Sequence, residues 1–309
     1  MADVIIETRN LRREFDGVLA VDDVSVSIND GEVFGLVGPD AAGKTTVLRM
    51  LSGVMRPTSG EIVVAGHDVF ADPESIKGDA GYMPQTFGLY GDLTVMENLE
   101  FYADLYRVPP EVRPERIQRL LAFARLEPFV GRLARNLSGG MRQKLALAST
   151  LISEPHILLL DEPTTGVDPV SRRDFWRILY DLNKQGVTLV VSTPYMDEAE
   201  RCTRVALMFR GRIVAVDTPD GLRKLMTGQI LELHTPDERR ARVLLADLPG
   251  VISVEIFGDR VHVVVEDAEQ MIEPICARVT EGGVKVTSIE RIAPGLEDVF
   301  VSLLKSDAS

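Results

Sequence analysis

The chain has 309 residues, of which 45% are hydrophobic and 26% are charged, and its formal net charge is −13. This length allows a large core and suggests about two domains, while the acidic surface repels phosphate backbones and disfavours nucleic-acid binding. No apolar run reaches the ~18–20 residues that a bilayer crossing needs, and residues 1–10 lack a signal-peptide pattern. The two cysteines, Cys202 and Cys276, lie far apart and suit a reducing compartment, so we expect a cytoplasmic protein.

Apolar stretches and helical periodicity alternate over roughly the first 220 residues. Strands are predicted at 4–8, 21–28, 33–37, 62–65, 157–160, 187–192 and 205–209. Helices are predicted at 46–54, 95–106, 117–124, 140–151 and 171–184. Strands that alternate with helices indicate an α/β domain built on a mainly parallel sheet.

The pattern changes after about Gly221. Strands are then predicted at 231–234, 251–256, 261–265 and 284–289, and helices at 238–245 and 269–280. This order, βαββαβ, is that of a small α+β ferredoxin-like sandwich. A last helix carries one apolar face made of Leu296, Val299, Phe300, Leu303 and Leu304. The sequence therefore predicts one domain at 1–226 and a second at 228–305.

The first motif is a phosphate-loop pattern, G-x-x-x-x-G-K-[ST], between a predicted strand and a predicted helix. Glycines let the backbone fold tightly around an anion, and the helix N-terminus adds positive potential. We expect Lys44 to reach the β- and γ-phosphates of a nucleotide and Thr45 to bind Mg²⁺. A chance glycine-rich turn is the alternative reading, which the strand–loop–helix context disfavours. The candidate nucleotide-binding residues here are Gly38, Pro39, Asp40, Ala41, Ala42, Gly43, Lys44, Thr45 and Thr46.

A second motif places two acidic residues at the end of the apolar strand 157–160. Asp161 is expected to assist in binding Mg²⁺. Glu162 follows at the strand end, where a carboxylate can polarise an attacking water, and it is the candidate catalytic base. An acidic pair at a strand end can also be a solvated turn, a reading that the neighbouring phosphate loop weakens.

The segment Leu137-Ser-Gly-Gly-Met-Arg-Gln143 resembles the LSGGQ signature of the ABC ATPase family, with Met141 in place of the final Gln. A Ser-Gly-Gly turn at a helix start forms a second anion-binding helix N-terminus, with Ser138 as its cap. The resemblance implies that Ser138, Gly139 and Gly140 of one subunit close over ATP held by the phosphate loop of another. It therefore implies a head-to-tail dimer with nucleotide at the interface. Taken alone, the segment could be only a capped helix.

Other residues match further landmarks of the same family. Phe15 corresponds to the aromatic residue that stacks on adenine, although a core phenylalanine is the alternative. Gln85 corresponds to the glutamine that links the γ-phosphate and Mg²⁺ to the membrane partner, and with Glu162 and Lys44 it completes the catalytic set. Asp168 lies in a segment that resembles the D-loop crossing between subunits, although it could be a turn residue before the next helix.

The resemblance covers about residues 4–225. It implies a phosphate-loop nucleotide-binding domain with a mainly parallel sheet, an antiparallel subdomain and a helical subdomain at about 86–153. It also implies ATP and Mg²⁺ as cofactors, and transmembrane permease subunits and a second cassette as partners. The chain would then be peripheral on the inner face of the cell membrane.

The amino-acid sequences of segments 87–99, 195–200 and 294–300 resemble those of ATP-binding subunits of bacterial drug and antibiotic exporters. The chain is especially similar to the first cassette of tandem two-cassette exporter subunits. Two residues depart from the family pattern. Ala41 stands where the family usually has Gly, and it adds roughly 1 kcal/mol of strain if its φ is positive. Pro194 stands where the family normally has a His that donates a hydrogen bond to the γ-phosphate, and proline has no such donor.

Three functions are compatible with these observations. The first is the motor of a membrane exporter, in which ATP closes a cassette dimer and hydrolysis reopens it. The second is a soluble ABC ATPase of translation or DNA repair, which the acidic charge and the absence of zinc or coiled-coil insertions disfavour. The third is a regulatory subunit with little ATP turnover, which Ala41 and Pro194 favour.

Overall fold

The computed structural model describes residues 3–72 and 74–306. The chain divides into two compact units, Met1–Pro219 and Asp220–Ser309. Residues 220–226 group with the second unit, so this division precedes the predicted boundary at 226–228 by several residues. Among the described residues, no helix is both long enough and apolar enough to cross a membrane.

The first unit alternates strands and helices over most of its length. Its strands are β1 (Val4–Phe15), β2 (Val18–Asn29), β3 (Val33–Val37), β4 (Ser59–Val64), β5 (His67–Asp68), β6 (Ala80–Met83), β7 (Ile157–Asp161), β8 (Thr188–Thr193), β9 (Arg204–Phe209) and β10 (Arg212–Asp217). Its helices are α1 (Lys44–Leu51), α2 (Val95–Leu105), α3 (Arg113–Ala124), α4 (Gly139–Thr150), α5 (Pro169–Lys184) and α6 (Met196–Ala199).

The central element is a six-stranded sheet with the order β10-β9-β3-β8-β7-β6. All neighbouring strands in it are parallel except β9 and β10. Every residue of β3, β7 and β8 is buried, which explains their continuous apolar runs. Parallel strands end at the same edge of a sheet, so the loops after β3, β7 and β8 meet there, and ligands bind at such an edge in α/β folds.

A second, antiparallel sheet has the order β2-β1-β4-β5. It shares a single hydrophobic core with the central sheet, in which Ile6 and Val24 pack in one cluster with Leu36 and Val190. Helices α2, α3 and α4 contact one another and lie within the segment 86–153, where the helical subdomain was expected. These features confirm the predicted α/β phosphate-loop domain with an additional antiparallel sheet and helices.

The second unit contains the α+β sandwich that the sequence predicts. Helix α7 (Pro219–Arg223) begins at the last residue of the first unit, and the other elements are β11 (Gln229–His234), α8 (Glu238–Leu245), β12 (Val251–Phe257), β13 (Arg260–Val265), α9 (Ala268–Glu281), β14 (Ser288–Ile292) and α10 (Leu296–Ser306). The antiparallel sheet has the order β12-β13-β11-β14, and α8 and α9 contribute apolar residues to the core that covers one of its faces. The last strand was predicted at 284–289 but begins at Ser288, because Val284 and Val286 pack against this core as an irregular segment.

Candidate functional site

The phosphate loop joins β3 to α1, and close backbone contacts hold it in place. A Cβ on Gly38 would lie 2.1 Å from the carbonyl oxygen of Met208, so no other residue fits there. Gly43 has a φ of 103°, a conformation that L side chains rarely adopt. Ala41 has a φ of 61°, in the left-handed region. It therefore carries the backbone strain that is expected of an alanine with a positive φ.

Lys44 is the first residue of α1 and is only 3% exposed. Its Nζ donates to the carbonyl oxygens of Gly38 and Pro39 at 2.8 and 2.9 Å, and it lies 3.3 Å from Oε1 of Glu162. The ammonium group is therefore held at the centre of the loop. A positive charge in this position is suited to binding the phosphates of a nucleotide.

The next residue along α1 reaches the end of β7. Thr45 Oγ1 donates to Oδ1 of the fully buried Asp161 at 3.0 Å. Ser192 Oγ donates to the same carboxylate oxygen at 2.7 Å, and the hydroxyl of Tyr82 donates to Oδ2 at 3.3 Å. Burial and the charge of Asp161 raise the pKa of Tyr82 to about 12, so its hydroxyl stays protonated. A hydroxyl beside a carboxylate is an oxygen donor set that fits Mg²⁺.

Glu162 is the second carboxylate and is 7% exposed. Its backbone N–H donates to Ser192 Oγ at 2.9 Å, and its own φ is 46°, in the left-handed region. Its Oε2 accepts from Gln85 Nε2 at 3.1 Å and from Thr165 Oγ1 at 3.2 Å. The structure thus brings Lys44, Glu162 and Gln85 together, and the carboxylate is oriented from three directions.

The signature segment lies beside α5. Ser138 caps α4, since its Oγ accepts from the backbone N–H of Met141 at 3.3 Å. A Cβ on Gly140 would lie 2.6 Å from Cβ of Ser171 in α5, and one on Gly139 would lie 3.7 Å from the carbonyl oxygen of Gly166. Close packing of α5 therefore requires the second glycine of the motif.

Asp168 is the N-cap of α5. Its local structure is therefore that of a turn residue before a helix, one of the two alternatives for this position. Its Oδ1 accepts from the backbone N–H groups of Val170 and Ser171 at 3.1 and 3.0 Å. Hydrogen bonds with Ser171 lower the pKa of the Asp168 carboxyl below its usual value, which keeps it charged at the helix N-terminus. Within residues 3–72 and 74–306, no hydrogen bond or ion pair joins Ser138 or Asp168 to Lys44.

The remaining predicted residues lie around this centre. Phe15 ends β1, and the residue is 37% exposed, so the core alternative does not describe it. The guanidinium carbon of Arg13 lies 4.4 Å from the centroid of the Phe15 ring. Of the other predicted loop residues, Asp40 and Ala41 are exposed, Pro39 and Thr46 are half-buried, and Ala42 is buried.

Ser192 and Tyr82 both bond Asp161, and the motifs did not identify either of them. A serine in the apolar run of β8 was an available signal, because buried polar side chains are normally hydrogen-bonded. Pro194 follows β8 and is half-buried. The backbone N–H of the next residue, Tyr195, donates to Thr193 Oγ1 at 3.1 Å.

Comparisons with known proteins agree with this geometry. The family model described as ABC transporter matches residues 21–165, and the one described as the C-terminal domain of DrrA1-3-like ATP-binding proteins matches residues 218–304. The chain is 43% identical over 308 residues to a probable multidrug ABC transporter ATP-binding protein, YbhF, of Escherichia coli. That alignment covers 98% of this chain and 53% of the relative, so the chain spans about half the length of YbhF.

A second relative matches over nearly its full length. It is the Nod factor export ATP-binding protein I of Burkholderia thailandensis, 36% identical over 96% of both chains. Among solved structures, a dimeric, post-hydrolysis ATP-binding cassette bound to ADP and Pi has a TM-score of 0.63 and 29% identity over 69% of this chain and 98% of its own. An ATP-binding subunit of an ABC transporter has a TM-score of 0.64 and 28% identity over 71% of this chain and 92% of its own. The chain therefore belongs to the ATP-binding proteins of the ABC transporter family, which are ATPases.

Proposed function

We propose that this chain is the Mg·ATP-hydrolysing motor subunit of a membrane exporter. The observation that carries the proposal is the meeting of Lys44, Asp161 and Glu162 at one edge of the central sheet. Thr45 and Asp161 would hold Mg²⁺, with Gln85 nearby, and the ion would neutralise charge on the β- and γ-phosphates. Neutralisation of this kind lowers the barrier to phosphoryl transfer.

Three other side chains bind the nucleotide or activate water. Lys44 binds the β- and γ-phosphates through its buried ammonium group, and the loop N–H groups bind their oxygens. Glu162 orients and polarises the attacking water, because its carboxylate is fixed by Gln85, Thr165 and Lys44. Phe15 offers an exposed ring for stacking on adenine.

The exporter assignment is supported by relatives named for multidrug transport and Nod factor export. We propose that separate transmembrane permease subunits bind at the surface near residues 85–99, which would make the chain peripheral on the inner face of the membrane. A cleft of about 660 Å³ adjoins this surface, lined by apolar residues such as Met96, Ile117 and Leu121. Gln85 bonds Glu162, so a movement of that surface would reach the catalytic carboxylate.

A second cassette completes the proposed site. Within one chain, Ser138 packs near α5, and no hydrogen bond or ion pair of the described residues joins it to Lys44. A helix N-terminus that binds a phosphate across from Lys44 would therefore come from another subunit. We propose a head-to-tail dimer with ATP at the interface, formed with the same chain or with a related cassette.

A regulatory subunit with low turnover is the second candidate. Pro194 supports it, because proline lacks the side-chain donor that the family places at this position. The strained Ala41 supports it more weakly, since the loop keeps its shape. In this case the chain would lend Ser138 and its neighbours to an active partner cassette while its own site turned over slowly.

Glu162→Gln tests the proposed function. The variant keeps the shape and loses the charge, so it should bind ATP, hydrolyse it much more slowly than the parental chain and accumulate as an ATP-bound dimer. Phosphate release and size-exclusion chromatography measure these two effects. The control is Asp181→Asn, an exposed carboxylate paired with Lys184 on α5. Parental turnover by Glu162→Gln would refute the assignment of the base, and absence of ATP binding by the parental chain would refute the function.

A further inference from the structure

Glu198 is a buried carboxylate that the proposed mechanism does not use. It lies in α6 and is only 1% exposed. Its Oε1 accepts from Thr164 Oγ1 at 2.6 Å and from Arg172 Nε at 3.2 Å, and its Oε2 accepts from Thr193 Oγ1 at 2.8 Å. A charge at this depth is costly unless it is paired and hydrogen-bonded, and these three donors meet that requirement.

The three donors come from two segments that follow β7 and end β8, at the edge of the central sheet that contains Asp161 and Glu162. Thr164 precedes the loop that contains Asp168, and Arg172 follows it in the first turn of α5. Thr193 is the last residue of β8, directly before Pro194. The carboxylate of Glu198 therefore bonds residues on both sides of the Gly166–Asp168 loop and the first residue of the segment 193–195.

Two further contacts extend this cluster to Tyr195. Its backbone N–H donates to Thr193 Oγ1, the same hydroxyl that donates to Glu198. The guanidinium carbon of Arg172 lies 4.2 Å from the centroid of the Tyr195 ring, within cation–π range. The residues on each side of Pro194 therefore contact one ion pair: Thr193 donates to Glu198, and the Tyr195 ring packs against Arg172.

We propose that Glu198 is a positioning residue that fixes the Gly166–Asp168 loop relative to the segment 193–195. The role rests on the proposed function: the loop is the part that would meet a second subunit, and the segment contains the position that would face the γ-phosphate. Movement of the loop on dimer closure then moves the segment with it. Glu198 acts on turnover through these segments and contacts no nucleotide itself.

The first experiment tests the mechanical link without any need for ATP. In Glu198→Gln the shape is kept, but Arg172 and two hydroxyls lose a charged acceptor. We expect faster amide hydrogen exchange at Val167 and Tyr195 together, measured by NMR or mass spectrometry on the nucleotide-free full chain. Asp197→Asn is the control, because Asp197 pairs with the same Arg172 but is exposed. Loosening of one amide alone, of neither, or equally in the control would overturn the proposal.

The second experiment separates positioning from simple stabilisation. Thr193→Val and Thr188→Val each remove a buried hydroxyl bonded to a carboxylate, at opposite ends of β8, since Thr188 Oγ1 donates to Asp30 at 3.1 Å. We expect Glu198→Gln and Thr193→Val to lower kcat at least about tenfold with KM changed less than about twofold, and Thr188→Val to leave both unchanged. Equal kcat for all variants would overturn the proposal. A parental chain that fails to hydrolyse ATP would instead refute the proposed function, and the exchange data would still decide the role of Glu198.

Discussion

Ala41→Gly should stabilise the first unit, although it replaces a larger residue by a smaller one. Ala41 has a φ of 61°, where the Cβ of an L-residue is crowded at a cost of roughly 1–2 kcal/mol. Glycine adopts this conformation without that cost, but it also gains conformational freedom in the unfolded chain, which offsets roughly 0.4–1 kcal/mol. The net expectation is a gain of about 0.5–1 kcal/mol in the free energy of unfolding.

Ala42→Gly is the matched control in the next position. Ala42 is buried at 2% exposure, and it is not among the described residues with positive φ. Its replacement relieves no strain, removes a buried methyl group and adds unfolded-state entropy, for a combined loss of about 1–2 kcal/mol. The two substitutions are chemically identical and should therefore change stability in opposite directions.

Differential scanning calorimetry of the full chain measures both effects. In a unit of this size, 1 kcal/mol shifts Tm by roughly 2–4 °C. We therefore expect the transition of the first unit to rise by about 1–4 °C for Ala41→Gly and to fall by about 2–8 °C for Ala42→Gly. A fall of similar size for both variants would refute the claim that backbone strain at Ala41 is relieved by glycine.

Three further predictions concern charge and catalysis. Lys44→Ala should weaken ATP binding in calorimetry by roughly 10- to 150-fold or more, because it removes a charge-assisted phosphate contact of about 1.5–3 kcal/mol and leaves Glu162 without its buried partner; unchanged affinity would contradict the assignment of the loop. Pro194→His should raise ATP turnover by up to about 10²–10³-fold at saturating Mg·ATP, because it restores a γ-phosphate donor; fast parental turnover with no gain would contradict a weakened site. Burial opposes the charge of His262, but its hydrogen bond to Asp298 is among the interactions that raise its pKa. The stability it contributes is therefore full below about pH 6.5 and is lost as the pH rises through the raised pKa. The stability difference between the parental chain and His262→Asn should accordingly be largest below about pH 6.5 and shrink as the pH rises above it, and a constant difference would contradict this sign.

The sequence predicted the elements whose signals are local. Strand β3 has the predicted bounds, and α8 matches the predicted helix at 238–245, because apolar period and turn residues mark both ends. The phosphate-loop motif also lies between a strand and a helix, as its pattern requires. Local periodicity and one motif were thus sufficient to place Lys44 and Thr45.

Strand β6 shows why other elements were missed. It has four residues, and Gly81 at its centre reads as a strand breaker. In the fold, a Cβ on Gly81 would lie 2.9 Å from the side chain of Thr150, so glycine is needed for α4 to pack closely. The contacts of Glu198 were equally hidden, because Thr164, Arg172 and Thr193 come from three elements whose meeting only the tertiary fold determines.

Two residues near the Lys44–Glu162 ion pair have a strained backbone, Ala41 in the phosphate loop and Glu162 itself. The interactions that surround these two residues differ. Glu162 has a φ of 46° while its N–H is bonded to Ser192 and its carboxylate is bonded to Gln85, so the conformation is held by the contacts that orient the proposed catalytic carboxylate. Ala41 is exposed, and its methyl group contributes to none of these hydrogen bonds. Strain that persists at a functional site is normally maintained by surrounding interactions. The strain at Ala41 can therefore be removed without loss of the site, whereas relaxing Glu162 would move the carboxylate away from Lys44.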